Sequence, residues 1–366
     1  MSKEKLNRLF ITATGEHVGK TTTTLGLISM LKNQNINVGY CKPVGQKFVM
    51  VGDEQVDKDA FLFGDFLGYG IEAKLHSPFT LAHGKTADYL DAPYLEEIKS
   101  KILAAQSALD EKHQTVVYEG TGHSGVGSVV DMSNADSAKL LGAKVVMVVE
   151  AGIGNAIDRL MLNVALFQQK GVKVSGVIIN KAKPEKIDYI RKYLEIKLQK
   201  ENLPLLGIIP YDEELVHPLM HTIKKSINGE VVCNENQMDN RVRDIIAGSL
   251  IDLKELEGKK DLLLVVSSSR LAESVEKLKK ITHEHESPLS GIVITGREDF
   301  NGRELAYFKK HRIPVIRAQM DTYAVVVRIS KIEVKINPRT PWKVNRAVNL
   351  FNRHIDLDKM KEIVGI

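Results

Sequence analysis

The sequence has little of what staples a chain or anchors it. Its 366 residues include two cysteines, Cys41 and Cys233, far apart and without metal-type neighbours. That excludes a disulfide framework and a zinc knuckle, and it suits a reducing compartment such as the cytoplasm. No apolar run is long enough to cross a bilayer, and the polar start MSKEKLNR has no signal-peptide core, so no membrane partner is expected. An excess of one charge is missing too. The 51 basic and 46 acidic side chains leave a net +5, which makes no case for a nucleic-acid partner. There is no convincing repeat and no low-complexity tract. What is there is ordinary globular composition, 43% hydrophobic and 27% charged, in a chain long enough for two domains.

The first two hundred residues alternate short Val- and Ile-rich runs with amphipathic stretches. Strand candidates are LFITA (9–13), INVGYCK (36–42), TVVYEG (115–120), AKVVMVVE (143–150), KVSGVIIN (173–180) and PLLGIIP (204–210). Apolar side chains on successive residues suit strands covered on both faces. Helical stretches at 19–33, about 91–110, 156–170 and 185–200 separate them. This β-α-β alternation predicts an α/β fold with a doubly wound parallel sheet, whose ligands sit at the carboxyl ends of the strands. After Pro210 the units shorten: GEVVC (229–233), a helical MDNRVRDIIAGSL (238–250), LLLVVSSS (262–269), a helix at 271–280, GIVITG (291–296), a helix at 302–311 and IPVIRA (313–318). We expect a nucleotide-binding domain over 1–215, a second, smaller α/β domain over 216–330, and a helical extension, 331–366, packed on that second domain.

The chemistry gathers around ATGEHVGKTTTT (13–24). Gly19-Lys20-Thr21 stands where a first strand turns into a first helix, the context a phosphate-binding loop requires. The usual spacing, G-x-x-x-x-G-K-[ST], puts a glycine at position 14; here that residue is Thr14, and Gly15 comes one place late. Backbone N–H groups along Gly15, Glu16, His17, Val18 and Gly19, and at the helix start through Lys20, Thr21 and Thr22, can hold phosphate oxygens. Lys20 reaches the outer phosphates, and the Thr21 hydroxyl suits Mg²⁺. A magnesium site also draws on carboxylates. Glu119 closes an apolar strand, where an acid has no packing role, and Asp59 in VDKDAF starts a helix, where it can equally be a first-turn acid. Lys42 ends the second strand before Pro43; it either projects into the same crevice to neutralise a transferring phosphoryl group or lies on the surface. His17 and His123 can line the site, but neither has an evident carboxylate orienter. His283-Glu284-His285 lacks the HExxH spacing and reads as a charged loop.

Lys42-Pro43-Val44, Asp59-Ala60, Glu119-Gly120-Thr121-Gly122 and the loop ending Val18-Gly19-Lys20-Thr21 resemble dethiobiotin synthetase. The resemblance covers about residues 8–215 and extends to relatives of cobyrinic acid a,c-diamide synthase. That family's loop reads G-T-x-T-x-V-G-K-T, so its first glycine falls on Ala13 here, a departure. The resemblance implies ATP and Mg²⁺ as cofactors. It places Thr21, Asp59 and Glu119 on the metal, Lys20 and Lys42 on phosphates or an activated substrate, and Asn180 on the adenine. From its chemistry alone Asn180 is equally a cap or turn residue. The family's diamine-recognising residues are not identifiable in this sequence.

The remainder, NGEVVCNENQMDNRVRDIIAGSL with LLLVVSSSR and GIVITG, resembles a DRTGG domain, the companion of such a P-loop domain in the N-terminal region of large phosphate acetyltransferases. Ser269-Arg270 stands where Asp-Arg is typical, and Thr295-Gly296-Arg297 where Thr-Gly-Gly is. Arg270 is either an anion ligand or a helix-start arginine on the surface. The acetyltransferase domain is not expected within this chain. What the resemblance implies is nucleotide-responsive regulation: a small-molecule ligand for the second domain, an acetyltransferase or other metabolic enzyme as partner, and a homodimer. An ATP-dependent ligase acting on a carboxylate or carbamate is the alternative. A ParA-like ATPase is disfavoured because no second lysine lies between Ala13 and Val18.

Overall fold

The structure, a computed structural model, describes residues 7–82, 84–247, 259–282, 287–296, 302–332, 334, 336 and 340–365. His283, Glu284, His285 and Arg297 lie outside them. The chain divides into two compact units, one of residues 1–212 with 336–366 and the other of residues 213–335.

The first unit is built on six parallel strands: β1 (Asn7–Ala13), β2 (Val38–Cys41), β3 (Thr115–Glu119), β4 (Lys144–Glu150), β5 (Val174–Ala182) and β6 (Leu205–Pro210), in the order β6-β5-β4-β1-β3-β2. Neighbouring residues of one strand enter opposite cores. Phe10, Tyr118 and Met147 face a layer of α3 (Leu95–Lys112), α4 (Asn134–Leu141), α5 (Gly154–Gln169) and α6 (Ile187–Lys200). Leu9, Ile11, Val117 and Val148 face α1 (Lys20–Asn33) and α2 (Lys58–Leu67). The continuous apolar runs of the sequence are strands buried on both sides. A short hairpin pairs Phe48–Val51 with Glu54–Asp57 ahead of α2.

The second unit holds a five-stranded sheet of β7 (Glu230–Cys233), β8 (Asp244–Ala247), β9 (Leu262–Ser267), β10 (Leu289–Thr295) and β11 (Val315–Ala318), in the order β7-β11-β10-β9-β8. Of these described strands only β7 runs antiparallel to its neighbour. Helices α7 (Met220–Ile227), α8 (Leu271–Thr282), α9 (Gly302–Lys310) and α10 (Thr322–Ser330) accompany it. The helix expected over 238–250 is corrected here. Residues 244–247 are a strand in register with 262–265, and 248–250 lie outside the described residues. The physical reason is a period of two: Ile245 packs with one core of this unit and Ile246 with the other.

The C-terminal helices require a second correction. Helices α11 (Pro341–His354) and α12 (Leu357–Val364) belong to the first unit, not to the second. Helix α1 is buried nearly all round, from Thr23 to Leu31 with one break at Ser29, so its far side needs a cover. Phe351 supplies it by seating on Gly26, where an added Cβ would stand 2.1 Å from Phe351 Cγ. The Asp356 N–H then donates to the Leu206 carbonyl at 2.7 Å, fastening the start of α12 to β6. Among the described residues no helix is long and apolar enough to cross a membrane.

Candidate functional site

The loop after β1 is shaped by three neighbours. Ala13 is the last residue of β1 and pairs with Val148, and the Thr14 N–H donates to the Val148 carbonyl at 3.0 Å. Ala13 therefore stays in the strand, and alanine at this position meets no conformational demand. The left-handed backbone falls instead on His17 (φ 55°) and Gly19 (φ 107°). Asn180, on β5, donates its side-chain amide to the Val18 carbonyl at 2.8 Å. A Cβ on Gly19 would meet that amide at 1.9 Å, so position 19 demands glycine twice over. Helix α1 then starts with no side-chain cap on its first-turn N–H groups. Those donors, with the positive end of the helix dipole, form an anion-binding end.

Beneath the loop, the Lys20 ammonium donates to the carbonyls of Gly15 and Gly122, both at 2.9 Å. Beside it, the Thr21 hydroxyl donates to Glu119 Oε1 at 3.2 Å. Glu119 is fully buried at the end of β3, and its Oε2 has no hydrogen-bond partner. Lys42, one residue past β2, hydrogen-bonds Asp59 and lies 3.6 Å from Asp57 Oδ1 and 3.8 Å from Glu119 Oε1. Sequence reasoning missed Asp57. Its Oδ1 caps α2 by accepting from the Asp59 N–H at 2.9 Å, and its Oδ2 accepts from the Gln46 N–H at 3.2 Å. The signal was present as the D-x-D of VDKDAF at a helix start.

Three buried carboxyl groups thus share one lysine. Burial pulls the Lys42 ammonium towards neutrality, but Asp59, Asp57 and Glu119 outweigh it and hold its pKa above the usual lysine value. Burial pushes Glu119 up to about 7 against the pull of Lys42, and raises Asp57 in the same way. An acid-rich cluster with an unpartnered buried carboxylate oxygen beside a hydroxyl offers hard oxygen donors, which suit Mg²⁺. Among the described residues no three His, Cys, Asp or Glu side chains are disposed to hold a metal by themselves. The oxygen donors at this point are the Thr21 hydroxyl and the Glu119 carboxylate, with the Asp59 carboxylate on the other side of Lys42.

The structure thus brings Lys20, Thr21, Lys42, Asp59 and Glu119 together, with Asn180 bracing the loop. Glu16 is exposed, 3.5 Å from the His17 imidazole, and Thr22 is half-buried on the first turn of α1. His123 accepts the Gly125 N–H at its Nδ1 (3.2 Å), which makes it a turn residue. Arg270, in the second unit, is exposed in the turn that leads into α8.

A parallel sheet whose first strand runs through a glycine-bearing loop into a Gly-Lys-Thr helix start, with an acid at the end of the adjacent strand, defines a P-loop NTPase domain. Comparison with known proteins agrees: the chain belongs to the family described as AAA domain, whose profile matches residues 7–219. It is 31% identical to ATP-dependent dethiobiotin synthetase BioD of Methanocaldococcus jannaschii over 212 residues, 56% of this chain and 95% of that one. It is 27% identical to phosphate acetyltransferase of Nitratidesulfovibrio vulgaris over 389 residues, 97% of this chain and 51% of that one. The chain therefore spans about half the length of the phosphate acetyltransferases it matches. Among solved structures, MinD cell division protein of Aquifex aeolicus aligns with 57% of this chain and 84% of its own, at 16% identity and a TM-score of 0.38.

Proposed function

We propose that this protein binds Mg-ATP in its first unit and acts as a nucleotide-responsive regulator, its second, DRTGG-like unit sensing a small molecule. The observation that carries this reading is the extent of the matches. Phosphate acetyltransferase similarity covers 97% of the chain, both units included, whereas dethiobiotin synthetase similarity covers 56%. The pair of units is thus the module that those longer proteins contain. An acetyltransferase or another metabolic enzyme is the fitting partner, and a homodimer the fitting assembly.

In this reading the first-turn N–H groups of α1 and the Lys20 ammonium hold phosphate oxygens, with Lys20 exchanging its two carbonyl partners for the ligand. Thr21, Glu119 and Asp59 hold Mg²⁺, which neutralises charge on the outer phosphates. Asn180 keeps Val18 in place and is the residue assigned to the adenine in this reading.

A second reading, an ATP-dependent ligase that phosphorylates a carboxylate or carbamate, is favoured by one observation. Lys42 is held by Asp59, with Glu119 at 3.8 Å, where it can meet charge developing on a transferred phosphoryl group. One experiment separates the two: ATP binding and turnover of wild type and Lys20→Ala, with and without diaminopelargonate and bicarbonate. Binding that Lys20→Ala abolishes, with no stimulation by the diamine, supports the regulatory reading. Diamine-dependent turnover supports the ligase. A wild type that does not bind ATP overturns both.

A further inference from the structure

We infer that the C-terminal helix α11 forms part of the nucleoside-side wall of the nucleotide site, with Arg346 as the positioning residue. This rests on the ATP-binding reading above. The order of the sheet gives the direction. Lys42, Asp59 and Glu119, the groups suited to the terminal phosphate and its metal, gather at β2 and β3, on one side of β1. A triphosphate threaded over the loop at the end of β1 with its last phosphate on that cluster must carry its nucleoside the other way. That way lie the carboxyl ends of β4, β5 and β6.

The structure at that end is continuous. Asn180 on β5 holds the loop at Val18. Two residues on, the Ala182 carbonyl accepts the N–H of Tyr211, the first residue after β6, at 2.7 Å. The next residue, Asp212, accepts from Arg346 Nε at 2.6 Å, its carboxylate nearly buried at 9% exposure. Arg346 sits in the second turn of α11, and α11 is fixed to α1 by Phe351 against Gly26. The segment carrying Tyr211, a residue 39% exposed, is thus tied to β5 at Ala182 and to α11 at Arg346. Helix α11 lies outside residues 7–219, the span matched by the AAA domain family.

The test is titration of the full-length protein with Mg-ATP and, separately, with Mg-tripolyphosphate, which has the phosphates and no nucleoside. The variants are Arg346→Ala, Asp212→Asn and the exchanged pair Arg346→Asp with Asp212→Arg. A loosened nucleoside wall weakens ATP binding about tenfold in Arg346→Ala and Asp212→Asn, leaves tripolyphosphate binding within about twofold, and is partly restored in the exchanged pair. Circular dichroism and the thermal midpoint identify any variant that fails to fold, and Arg346→Lys then serves in its place with a smaller loss confined to ATP. Equal loss of both ligands, or unchanged ATP binding in folded variants, overturns the inference while the ATP-binding reading stands. Failure of wild type to bind ATP overturns both.

Discussion

Lys42 and Asp59 are hydrogen-bonded in the interior of the first unit, and the same ammonium lies 3.6 Å from Asp57 Oδ1 and 3.8 Å from Glu119 Oε1. Removing it leaves three buried carboxyl groups without their shared cation. Lys42→Met is therefore expected to cost about 3–5 kcal/mol at pH 8, the usual penalty for breaking a buried pair from one side. The loss shrinks as pH falls through about 7, because burial holds Glu119 and Asp57 above their ordinary values and without Lys42 they take up protons more readily still. Urea unfolding on either side of that pH reads both. A loss under about 1 kcal/mol at pH 8 contradicts an ionised cluster.

Glu119 sets a second pH dependence. Its folded pKa, about 7, lies above the ordinary 4.5, so between those values the folded state holds a proton that the unfolded state has released. Stability contributed by this group is whole below about pH 4.5 and falls as pH rises towards 7. Glu119→Gln keeps the shape without the titration. It is expected to flatten the slope of unfolding free energy between pH 5 and 7 and to gain most over wild type near pH 8. Parallel curves for the two proteins contradict the assignment.

Gly19→Ala tests the loop. The left-handed backbone strains alanine by about 1–2 kcal/mol, and the new Cβ falls on the Asn180 amide. Total destabilisation of at least about 2 kcal/mol is expected. The double variant with Asn180→Ala recovers only part of it, because the strain in φ remains. Full recovery in thermal unfolding would show that crowding alone required the glycine.

The seat of α11 is a packing test. Phe351→Ala is expected to cost about 3–5 kcal/mol. Gly26→Ala gains about 1 kcal/mol in helix propensity yet is expected to lose more than that from overpacking. In the double variant the small residue at 351 leaves room for the methyl at 26, so the two losses do not add. Additive losses in denaturant unfolding contradict direct contact.

The strand-loop-helix opening, the placement of Glu119 and Lys42, and the six parallel strands of the first unit were legible, because each rests on local pattern. Ala13 looked like a defect in sequence. It is none, because the residue ends a strand while Gly19 and His17 carry the unusual backbone. Asp57 was missed because a helix-capping acid explains itself locally; only the fold brings Lys42 to it. Residues 244–247 misled because only four residues carry the strand, and the polar sequence before them suggested a helix that the pairing with β9 overrides. The destination of 336–366 was illegible for the same kind of reason: Gly26 and Phe351 are far apart in sequence, and nothing near either names the other.

That contact also sets an order of events at the ribosome. The strands of the first unit are made early, but the helix that covers α1 emerges only after the whole of residues 213–335 has been made. At ordinary synthesis rates α1 waits roughly fifteen to sixty seconds with its Gly26 face bare. Until α11 arrives, the nascent first unit exposes an apolar face that the folded unit buries under Phe351.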